Sequence, residues 1–359
     1  MASRDSSRDS VSTSGSRTGE HSSPFDNSIE ELVGDFRQIG LRHGKNNAAR
    51  MRYLLSAFEV NAAAPWDETA LLAPLDIHLP ELRQEIDGIA EGSELGLRKV
   101  CALSFLADLW ATQSACTGVA FGVGPDGPVV GKTCDCTPGA QEQWLRPRCI
   151  RPTGALAAVT YSHVGTPNAE MGMNERGLAI GVSGCASLAA DPEGVGWQQD
   201  VRGVLHRCAT AQQAIDMLRA VSIRGYGYCL VLGDDSGDVA VVEKVVGALA
   251  VRRPNGNVVY EANIPLTPEV LAHVPADADF DNGRARMALL DHVCRDESHM
   301  DFSLEGMLSL FATHADPVGL CQHGPALQTN LGFFMLPQKR QVWLARGNTC
   351  QRNLEKVQL

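Results

Sequence analysis

Among the side chains capable of nucleophilic chemistry, Cys116 stands at a change in the character of the chain. The residues before it carry apolar side chains at helical spacing, whereas the small and apolar residues from Cys116 onward predict a strand. A thiol can attack a carbonyl carbon and form an acyl-enzyme if a nearby base accepts its proton. A cysteine at the start of a strand is more often a buried structural residue, so the local pattern alone leaves both interpretations open.

Two glycine-rich segments after Cys116 match phosphate-binding motifs only superficially. The segment 122–127 (GVGPDG) fits GxGxxG, but the residues that follow predict a strand and not the helix whose amide groups would meet a pyrophosphate. In 127–133 (GPVVGKT) three residues separate the glycines, one fewer than a phosphate loop needs. Both segments are better explained as a strand, a Pro-Asp-Gly turn and a second strand. HExxH and GxSxG are absent, so the sequence contains neither the zincin motif nor the α/β-hydrolase nucleophile motif.

The remaining cysteines give little indication of a metal or redox site. Eleven cysteines lie between Cys101 and Cys350, and no two are spaced CxxC, the strongest cue for a zinc ribbon or a thioredoxin-like motif. Cys134 and Cys136 form the only close pair and would share one face of a strand. We therefore expect free, mostly buried thiols, no metal and no cofactor. A metal-thiol protein using Cys134 and Cys136 is the least favoured alternative.

Composition and charge argue against nucleic-acid and membrane partners. Of the 359 residues 44% are apolar and 20% are charged, and the net charge is −11. Sequence-independent binding to nucleic acid needs a basic face, and an anionic membrane surface offers an acidic chain no attraction. No apolar run approaches the roughly 18 residues of a membrane span. Residues 1–25 are rich in Ser and lack the apolar core of a signal peptide, which predicts a disordered tail and a cytoplasmic enzyme.

Apolar periodicity predicts the elements that must position Cys116. Helical spacing extends over 29–58, broken by Gly40 and Gly44, and a loop with Pro65, Pro74 and Pro80 follows. Further helices are predicted at 82–92, 95–110, 201–208, 211–220, 284–293 and 304–314. Strands are predicted at 116–123, 128–133, 155–163, 178–182, 228–233, 239–246, 248–252 and 258–262, with a closing hairpin at 332–336 and 341–345. The order of helices, sheet, helices, sheet favours an α+β layered domain.

Several short segments, in a fixed order along the chain, are more informative together than any single motif. They are 39–44 (IGLRHG), 85–97 (EIDGIAEGSELGL), 102–109 (ALSFLADL), 115–117 (ACT), 131–135 (GKTCD), 172–178 (GMNERGL), 262–264 (ANI) and 319–323 (GLCQH). In order and spacing this set resembles the isopenicillin N acyltransferase family (acyl-coenzyme A:6-aminopenicillanate acyltransferases) of autoproteolytic cysteine N-terminal-nucleophile hydrolases. The resemblance covers nearly the whole chain after the tail.

The resemblance implies a fold and a maturation step. The fold is a four-layer αββα sandwich, in which a helical segment 26–115 and a nucleophile-bearing segment 116–359 form one domain. Cleavage of the Ala115–Cys116 bond by the chain itself would make these segments a small and a large chain and Cys116 an N-terminus. The freed α-amine, with a reference pKa of roughly 8, would then act as general base for the Cys116 thiol.

The resemblance also suggests roles for individual residues. Asn263 is the implied donor to the oxyanion, although an asparagine before Pro265 is also typical of a turn. Asp135 is implied to pair with or orient the α-ammonium, the alternative being an exposed strand carboxylate. Thr117 is expected to be a structural strand hydroxyl, and Asn174 to stabilise a turn. The substrate would be a small-molecule amide or an acyl donor such as an acyl-CoA or an acyl-carrier, and the acceptor water or an amine.

Three residues depart from the family pattern. Ala115 replaces a glycine, and its β-carbon restricts the backbone strain available for self-cleavage. Thr133 replaces an asparagine, and Gln322 replaces an arginine that would recognise a substrate carboxylate. The sequence thus predicts a self-processing cysteine amidohydrolase or acyltransferase, with an uncleaved, non-catalytic binding protein on the same scaffold as the alternative.

Overall fold

The computed structural model describes residues 25–57, 67–109, 115–139, 143–278 and 280–359. The predictions for Pro65 and for the tail before Phe25 fall outside these residues. In chain order the described elements are β1 (Glu30–Gly34), α1 (Phe36–Ala57), α2 (Glu68–His78), α3 (Pro80–Ser93), α4 (Leu97–Ser104), α5 (Leu106–Leu109), β2 (Ala115–Phe121), β3 (Val129–Cys136), β4 (Leu145–Pro152), β5 (Ala158–His163), β6 (Met171–Asn174), β7 (Ala179–Cys185), α6 (Trp197–Arg207), α7 (Ala211–Ala220), β8 (Gly227–Gly233), β9 (Val239–Val245), β10 (Ala248–Arg252), β11 (Val258–Glu261), α8 (Pro268–Leu271), α9 (Asp281–Val293), α10 (Leu304–Phe311), β12 (Gln328–Leu336), β13 (Gln341–Arg346) and β14 (Leu354–Gln358), with short 3₁₀ turns at Glu297–His299, Pro337–Lys339 and Thr349–Gln351.

Two stacked β-sheets form the centre of the molecule. The large sheet has the strand order β1-β4-β5-β6-β7-β8-β9-β10, and the small sheet has the order β11-β2-β3-β12-β13-β14. Within these two sheets the β1–β4 pair is parallel and the other neighbours are antiparallel. β2, which carries Cys116, pairs with β3 over Ala115–Phe121 but with β11 only over Gly118–Phe121, so the strand register leaves one side of Cys116 to other partners.

Each sheet packs on its partner through one face and on helices through the other. Ala120 and Val130 of the small sheet share an apolar core with Val231 and Val241 of the large sheet. α6 and α7 cover the outer face of the large sheet, and α9 and α10 cover the outer face of the small sheet. The predicted four-layer αββα sandwich is therefore confirmed, and the alternation of side chains along each strand decides which layer a residue faces.

The chain between residues 29 and 57 differs from its prediction in two respects. Residues 30–34 form strand β1 and not the start of a helix, because Glu30 and Leu32 are buried while their neighbours point outward, which is a period of two. α1 then continues through Gly40 and Gly44 without a break. An added β-carbon at Gly40 would lie 2.1 Å from the Glu85 carbonyl oxygen of α3, so these glycines allow two helix backbones to meet closely.

Two of the three prolines predicted to form a loop lie within helices. Pro74 is inside α2, and Pro80 is at the first turn of α3, a position that proline favours. Pro74 has no N–H for the Ala70 carbonyl, and Arg224 Nη2 donates to that oxygen instead at 2.9 Å. Arg224, distant in sequence, thus replaces the helix hydrogen bond that Pro74 cannot make.

Most other predicted elements agree with the structure to within a few residues, including the helix 211–220 and the strands around Cys116. The prediction missed β4, β6 and β14. β6 occupies part of the 172–178 segment that looked like a turn. Among the residues that the structure describes, no helix combines the length and apolar composition needed to cross a membrane.

We expect Gly40→Ala to destabilise the folded chain, although alanine is a better helix former by about 1 kcal/mol. The new β-carbon would collide with the α3 backbone, which cannot move aside as a side chain can. Thermal or urea unfolding should show a loss of about 1–3 kcal/mol. Lys45→Ala, on the exposed side of α1, is the control and should have little effect. Equal stability of Gly40→Ala and wild type would contradict the close packing of α1 on α3.

Candidate active site

Cys116 is the second residue of β2, and its thiol faces the space between the two sheets. It lies directly opposite Cys134 on β3, and Cys134 belongs to the core that both sheets share. Cys116 is only 5% exposed. Thr117, the next residue, faces the opposite way toward α9. The strand therefore presents the thiol on one face and the helix-facing groups on the other.

The backbone of Cys116 is held from both sides by side chains. Its amide nitrogen donates to Asn263 Oδ1 at 2.8 Å. Its carbonyl oxygen accepts a hydrogen bond from Arg286 Nη1, and the same nitrogen lies 3.0 Å from Thr117 Oγ1. Arg286 Nη2 also donates to Asn263 Oδ1 at 3.0 Å. These contacts fix the peptide groups on either side of Cys116.

The orientation of the Asn263 amide follows from its partners. Oδ1 receives two donors, and Nδ2 donates to the Gly184 carbonyl at 2.9 Å, so the oxygen and nitrogen cannot be exchanged. Asn263 has a left-handed backbone with φ 65°, which asparagine tolerates better than most residues. Its backbone N–H donates to Glu261 Oε2 at 3.2 Å. Asn263 thus links the nucleophile strand to β7 of the other sheet.

Asp135 is buried opposite Ala115, on the face of β3 that is turned toward α9. It pairs with Ala115 in the β2–β3 register. Its carboxylate accepts hydrogen bonds from Gln322 Nε2 at 2.6 Å and Thr329 Oγ1 at 2.7 Å. Burial raises the pKa of Asp135, and the positive charge of Arg286 opposes that shift. The alternative of an exposed strand carboxylate is therefore wrong. The Cys116 nitrogen donates to Asn263, however, and not to Asp135.

A second group of charges lies on the thiol side of the small sheet. Lys132 is fully buried, and its Nζ is 3.0 Å from Glu261 Oε1 and in a hydrogen bond with Ser183 Oγ. Ser183 Oγ in turn donates to Glu261 Oε1 at 2.7 Å. Since Glu261 also receives the Asn263 backbone N–H, this ion pair anchors the loop that carries Asn263.

The surroundings of Cys116 keep its thiol protonated in the uncleaved chain. The pKa of Cys116 is raised well above its usual value, first by the hydrogen bond with Cys134 and then by burial, while Lys132 acts in the opposite direction. A neutral thiol is a poor nucleophile. Any nucleophilic role for this thiol would therefore require a base that accepts its proton.

Sequence reasoning missed Arg286, Lys132 and Glu261. Arg286 had one available signal: it is four residues before Leu290 and next to Met287, both on the buried stripe of α9. An arginine on such a stripe must find a buried partner. Lys132 was set aside with the false phosphate loop, although strand alternation places it beside Cys134 and between the sheets.

Two polar residues have the structural contacts that were expected of them. Asn174 accepts the backbone N–H groups of Arg176 and Leu178 and donates to the carbonyls of Leu205 and Cys208, so it stabilises its turn against α6. Thr117 contacts Arg286 through its hydroxyl.

Comparison with known protein families gives one match. Residues 123–274 match the family model of acyl-coenzyme A:6-aminopenicillanic acid acyl-transferase. The matched residues include Asp135 and Asn263 and begin after Cys116. The match spans 152 of the 359 residues, less than half of the chain. The family match supports an acyltransferase or amidohydrolase.

Several solved structures are similar to this chain, whereas no curated protein matches it by sequence. A mutant conjugated bile acid hydrolase from Clostridium perfringens is 15% identical, with 68% of this chain and 92% of that chain covered and a TM-score of 0.44. An N-acylethanolamine-hydrolyzing acid amidase ortholog from Caenorhabditis elegans is 14% identical, with 62% and 93% covered and a TM-score of 0.45. Penicillin V acylase from Agrobacterium tumefaciens is 18% identical, with 64% and 83% covered and a TM-score of 0.41.

Glu170 is a buried carboxyl group behind the thiol pair. Gln198 Nε2 donates to its Oε1 at 2.9 Å, and Cys134 Sγ lies 3.8 Å from its Oε2. Burial raises its pKa from the ordinary 4.5 to about 7, and Lys132 opposes the shift. The folded chain therefore holds this proton more tightly than the unfolded chain does. Its contribution to stability is complete below pH 4.5 and is lost as the pH rises toward about 7.

Glu170→Gln should remove this pH dependence, because glutamine keeps the shape and cannot ionise. We expect the variant to gain stability relative to wild type at about pH 8, where the wild-type carboxyl is charged, and to gain little at about pH 5. Melting temperatures of both proteins at the two pH values measure the difference. Glu193→Gln, at an exposed position, serves as the control. Parallel loss of stability in wild type and Glu170→Gln between these pH values would rule out the assignment.

Proposed function

We propose that the chain is a self-processing cysteine amidohydrolase or acyltransferase that cuts its own Ala115–Cys116 bond. The observation that carries the proposal is the hydrogen bond of 2.8 Å from the Cys116 amide nitrogen to Asn263 Oδ1. That nitrogen is the leaving group of self-cleavage and the α-amine of the mature enzyme. Asn263 would therefore position the Cys116 nitrogen both in self-cleavage and in the reaction of the mature enzyme.

Maturation needs only groups of the chain and one water molecule. The Cys116 sulfur attacks the Ala115 carbonyl carbon, and the Ala115–Cys116 C–N bond breaks as the nitrogen takes a proton. The product is a thioester between Ala115 and the Cys116 sulfur. Water then adds to the thioester and releases residues 1–115 with a new carboxylate, leaving residues 116–359 with a free thiol and a free α-amine.

The α-amine supplies the base that the uncleaved site lacks. Its reference pKa of roughly 8 is close to that of a thiol, roughly 8.5, so it can accept the thiol proton near neutral pH. Asn263 Oδ1 would continue to accept one of its N–H groups and leave the lone pair free for that proton. Asp135 lies next to residue 115 in the strand register, and we assign it to stabilising the α-ammonium together with the surrounding hydrogen bonds.

The oxyanion of each acyl-transfer step needs a donor on the thiol side of β2. Asn263 Nδ2 carries two hydrogens, of which one points to the Gly184 carbonyl. We assign the second hydrogen to the oxyanion, where a preorganised neutral donor is effective because it needs no reorganisation. The substrate is a small amide or an acyl thioester, such as an acyl-CoA or an acyl-carrier, and it passes through an acyl-Cys116 intermediate to water or an amine.

Intact mass spectrometry of freshly purified protein tests self-cleavage. Wild type should resolve into chains 1–115 and 116–359, whereas Cys116→Ala should remain one chain of 359 residues. Ala115→Gly should mature faster than wild type, because the added backbone freedom eases the strained acyl shift. A folded wild type that stays uncleaved would favour the alternative, an uncleaved binding protein. Cleavage of Cys116→Ala at the same bond would show that another group cuts it.

The same preparation then tests the acyl-enzyme. After exposure to an activated ester, the 116–359 chain should gain the mass of one acyl group, and hydroxylamine should remove it. Cys208→Ser, which changes a buried thiol away from the site, is the control and should acylate like wild type. Release of the acyl group by water alone, or only when an amine is added, distinguishes a hydrolase from a transferase.

Asn263→Ala should slow maturation, because the leaving nitrogen loses its acceptor and the oxyanion loses its donor. Removal of one oxyanion donor costs about 10²–10³-fold in rate in comparable sites, and we expect a loss of at least about tenfold here. The measured quantity is the fraction cleaved over time in refolded or newly synthesised protein. Asn255→Ala, exposed in the loop before β11, is the matched control. An unchanged rate in Asn263→Ala would remove Asn263 from the mechanism.

A further inference from the structure

Four metal-ligating side chains meet at a site that the proposed reaction does not use. They are His314, Cys321, His323 and Cys350, and one ligand atom from each lies within 4.8 Å of the others. Both cysteines are free thiols. We propose that these four residues bind one Zn²⁺ ion in a closed Cys₂His₂ site. The proposal departs from the expectation of no metal drawn from the sequence.

The spacing of the ligand atoms fits a tetrahedron of the size that zinc requires. Zinc bonds of about 2.3 Å to sulfur and about 2.0–2.1 Å to nitrogen give edges of roughly 3.3 Å between two nitrogens and roughly 3.6 Å between nitrogen and sulfur. The His314 and His323 Nε2 atoms are 3.1 Å apart. His323 Nε2 lies 3.4 Å from the sulfur of Cys321 and 3.4 Å from that of Cys350. Small movements would thus bring all four atoms to the zinc distances.

The kind of ligands favours zinc over the other common metals. Two thiolates and two imidazoles are the soft and borderline ligands typical of structural zinc sites, whereas Mg²⁺ and Ca²⁺ prefer oxygen. Four protein ligands fill the tetrahedron and leave no position for water, which indicates a structural and not a catalytic ion. His314 and His323 are exposed, so an ion can enter from solvent.

The ligands come from separate parts of the chain that the fold brings together. His314 follows α10, Cys321 and His323 lie in the segment before β12, and Cys350 lies in the 3₁₀ turn before β14. Asn348 holds this arrangement from outside. Its Nδ2 donates to the Gln322 carbonyl at 2.7 Å and lies 3.8 Å from the Cys321 sulfur. Such outer contacts orient ligands and reduce the charge on a thiolate.

A metal here would also position Gln322, which lies between Cys321 and His323 in the sequence. Gln322 Nε2 donates to Asp135 at 2.6 Å, and Gln322 Oε1 accepts from Asn282 at 2.9 Å. Asn282 in turn accepts from Arg286 at 2.8 Å. Loss of the ion would loosen the backbone of Gln322 and so its hold on Asp135. This consequence for maturation rests on the proposed function, whereas the metal site itself does not.

Cobalt substitution of the full-length chain tests the site. Protein reduced and stripped with a chelator should bind one equivalent of Co²⁺, with the visible absorption of tetrahedral cobalt and a thiolate charge-transfer band in the near ultraviolet. Zn²⁺ should displace the cobalt and abolish both signals. Zn²⁺ should also raise the melting temperature of the stripped protein, because an ion that binds the folded form stabilises it.

Variants connect the signal to the four residues. Cys321→Ser and Cys350→Ser should each weaken the charge-transfer band and reduce cobalt affinity by at least about tenfold, as should His314→Gln at its exposed position. Cys294→Ser and His299→Gln, a cysteine and a histidine outside the cluster, should bind as wild type does. Circular dichroism of the stripped variants shows whether each is folded, and His314→Gln keeps the test decisive if a cysteine variant is not.

Three results would overturn the metal site. The first is the absence of tetrahedral cobalt in folded, reduced wild type, and the second is an unchanged signal in folded Cys350→Ser and His314→Gln. The third is a Cys321–Cys350 disulfide that persists in protein prepared with reductant and zinc. Failure of self-cleavage alone would leave the cobalt result intact, so failure of the metal site and failure of the proposed function can be distinguished.

Discussion

The geometry around Cys116 depends on one buried guanidinium. Arg286 is 1% exposed, and it joins the Cys116 carbonyl and the Thr117 hydroxyl of β2 to the Asn263 side chain in the segment after β11. Burial lowers its pKa, and the negative charge of Asp135 is the first influence that opposes this shift. Breaking a buried charge arrangement by removing one partner costs about 3–5 kcal/mol. A substitution of Arg286 would therefore disturb both the hydrogen bonds around Cys116 and the packing of α9 on the small sheet.

Strand alternation divides the buried charges into two groups that act on the same residue. Arg286 and Asp135 lie on the helix side of β2 and β3, whereas Lys132 and Glu261 lie between the sheets with the thiol. The thiol side favours a neutral sulfur, since the Cys134 hydrogen bond and burial outweigh the nearby Lys132. In the proposed mechanism the thiolate depends on a base at the Cys116 nitrogen, which belongs to the second residue of β2.

The sequence was a good guide where one local rule decides the structure. Period-two patterns located the strands around Cys116, and the order of elements indicated a layered α+β fold, which the structure confirms as αββα. It was a poor guide where tertiary contacts override local rules. Gly40 looked like a helix breaker and instead permits the close approach of α3, and Pro74 is tolerated because Arg224 caps the carbonyl that it leaves free. Arg286 could be noticed in the sequence only as an arginine on a buried helix stripe, because Cys116 and Thr117, which it contacts, are 170 and 169 positions away.

The Cys₂His₂ cluster was also missed in the sequence, because tertiary contacts and not a local motif bring its residues together. Metal motifs are recognisable in a sequence when two ligands share a short turn, as in CxxC, because the turn fixes their geometry. Here Cys321 and His323 are two residues apart in an irregular segment, and Cys350 reaches them only after β12 and β13 have formed a hairpin. The hairpin, and not a local motif, sets the distance between the ligands. A metal bound there would hold the two ends of that hairpin together, and through Gln322 it would act on the Asp135 carboxylate, which lies opposite Ala115 in the strand register.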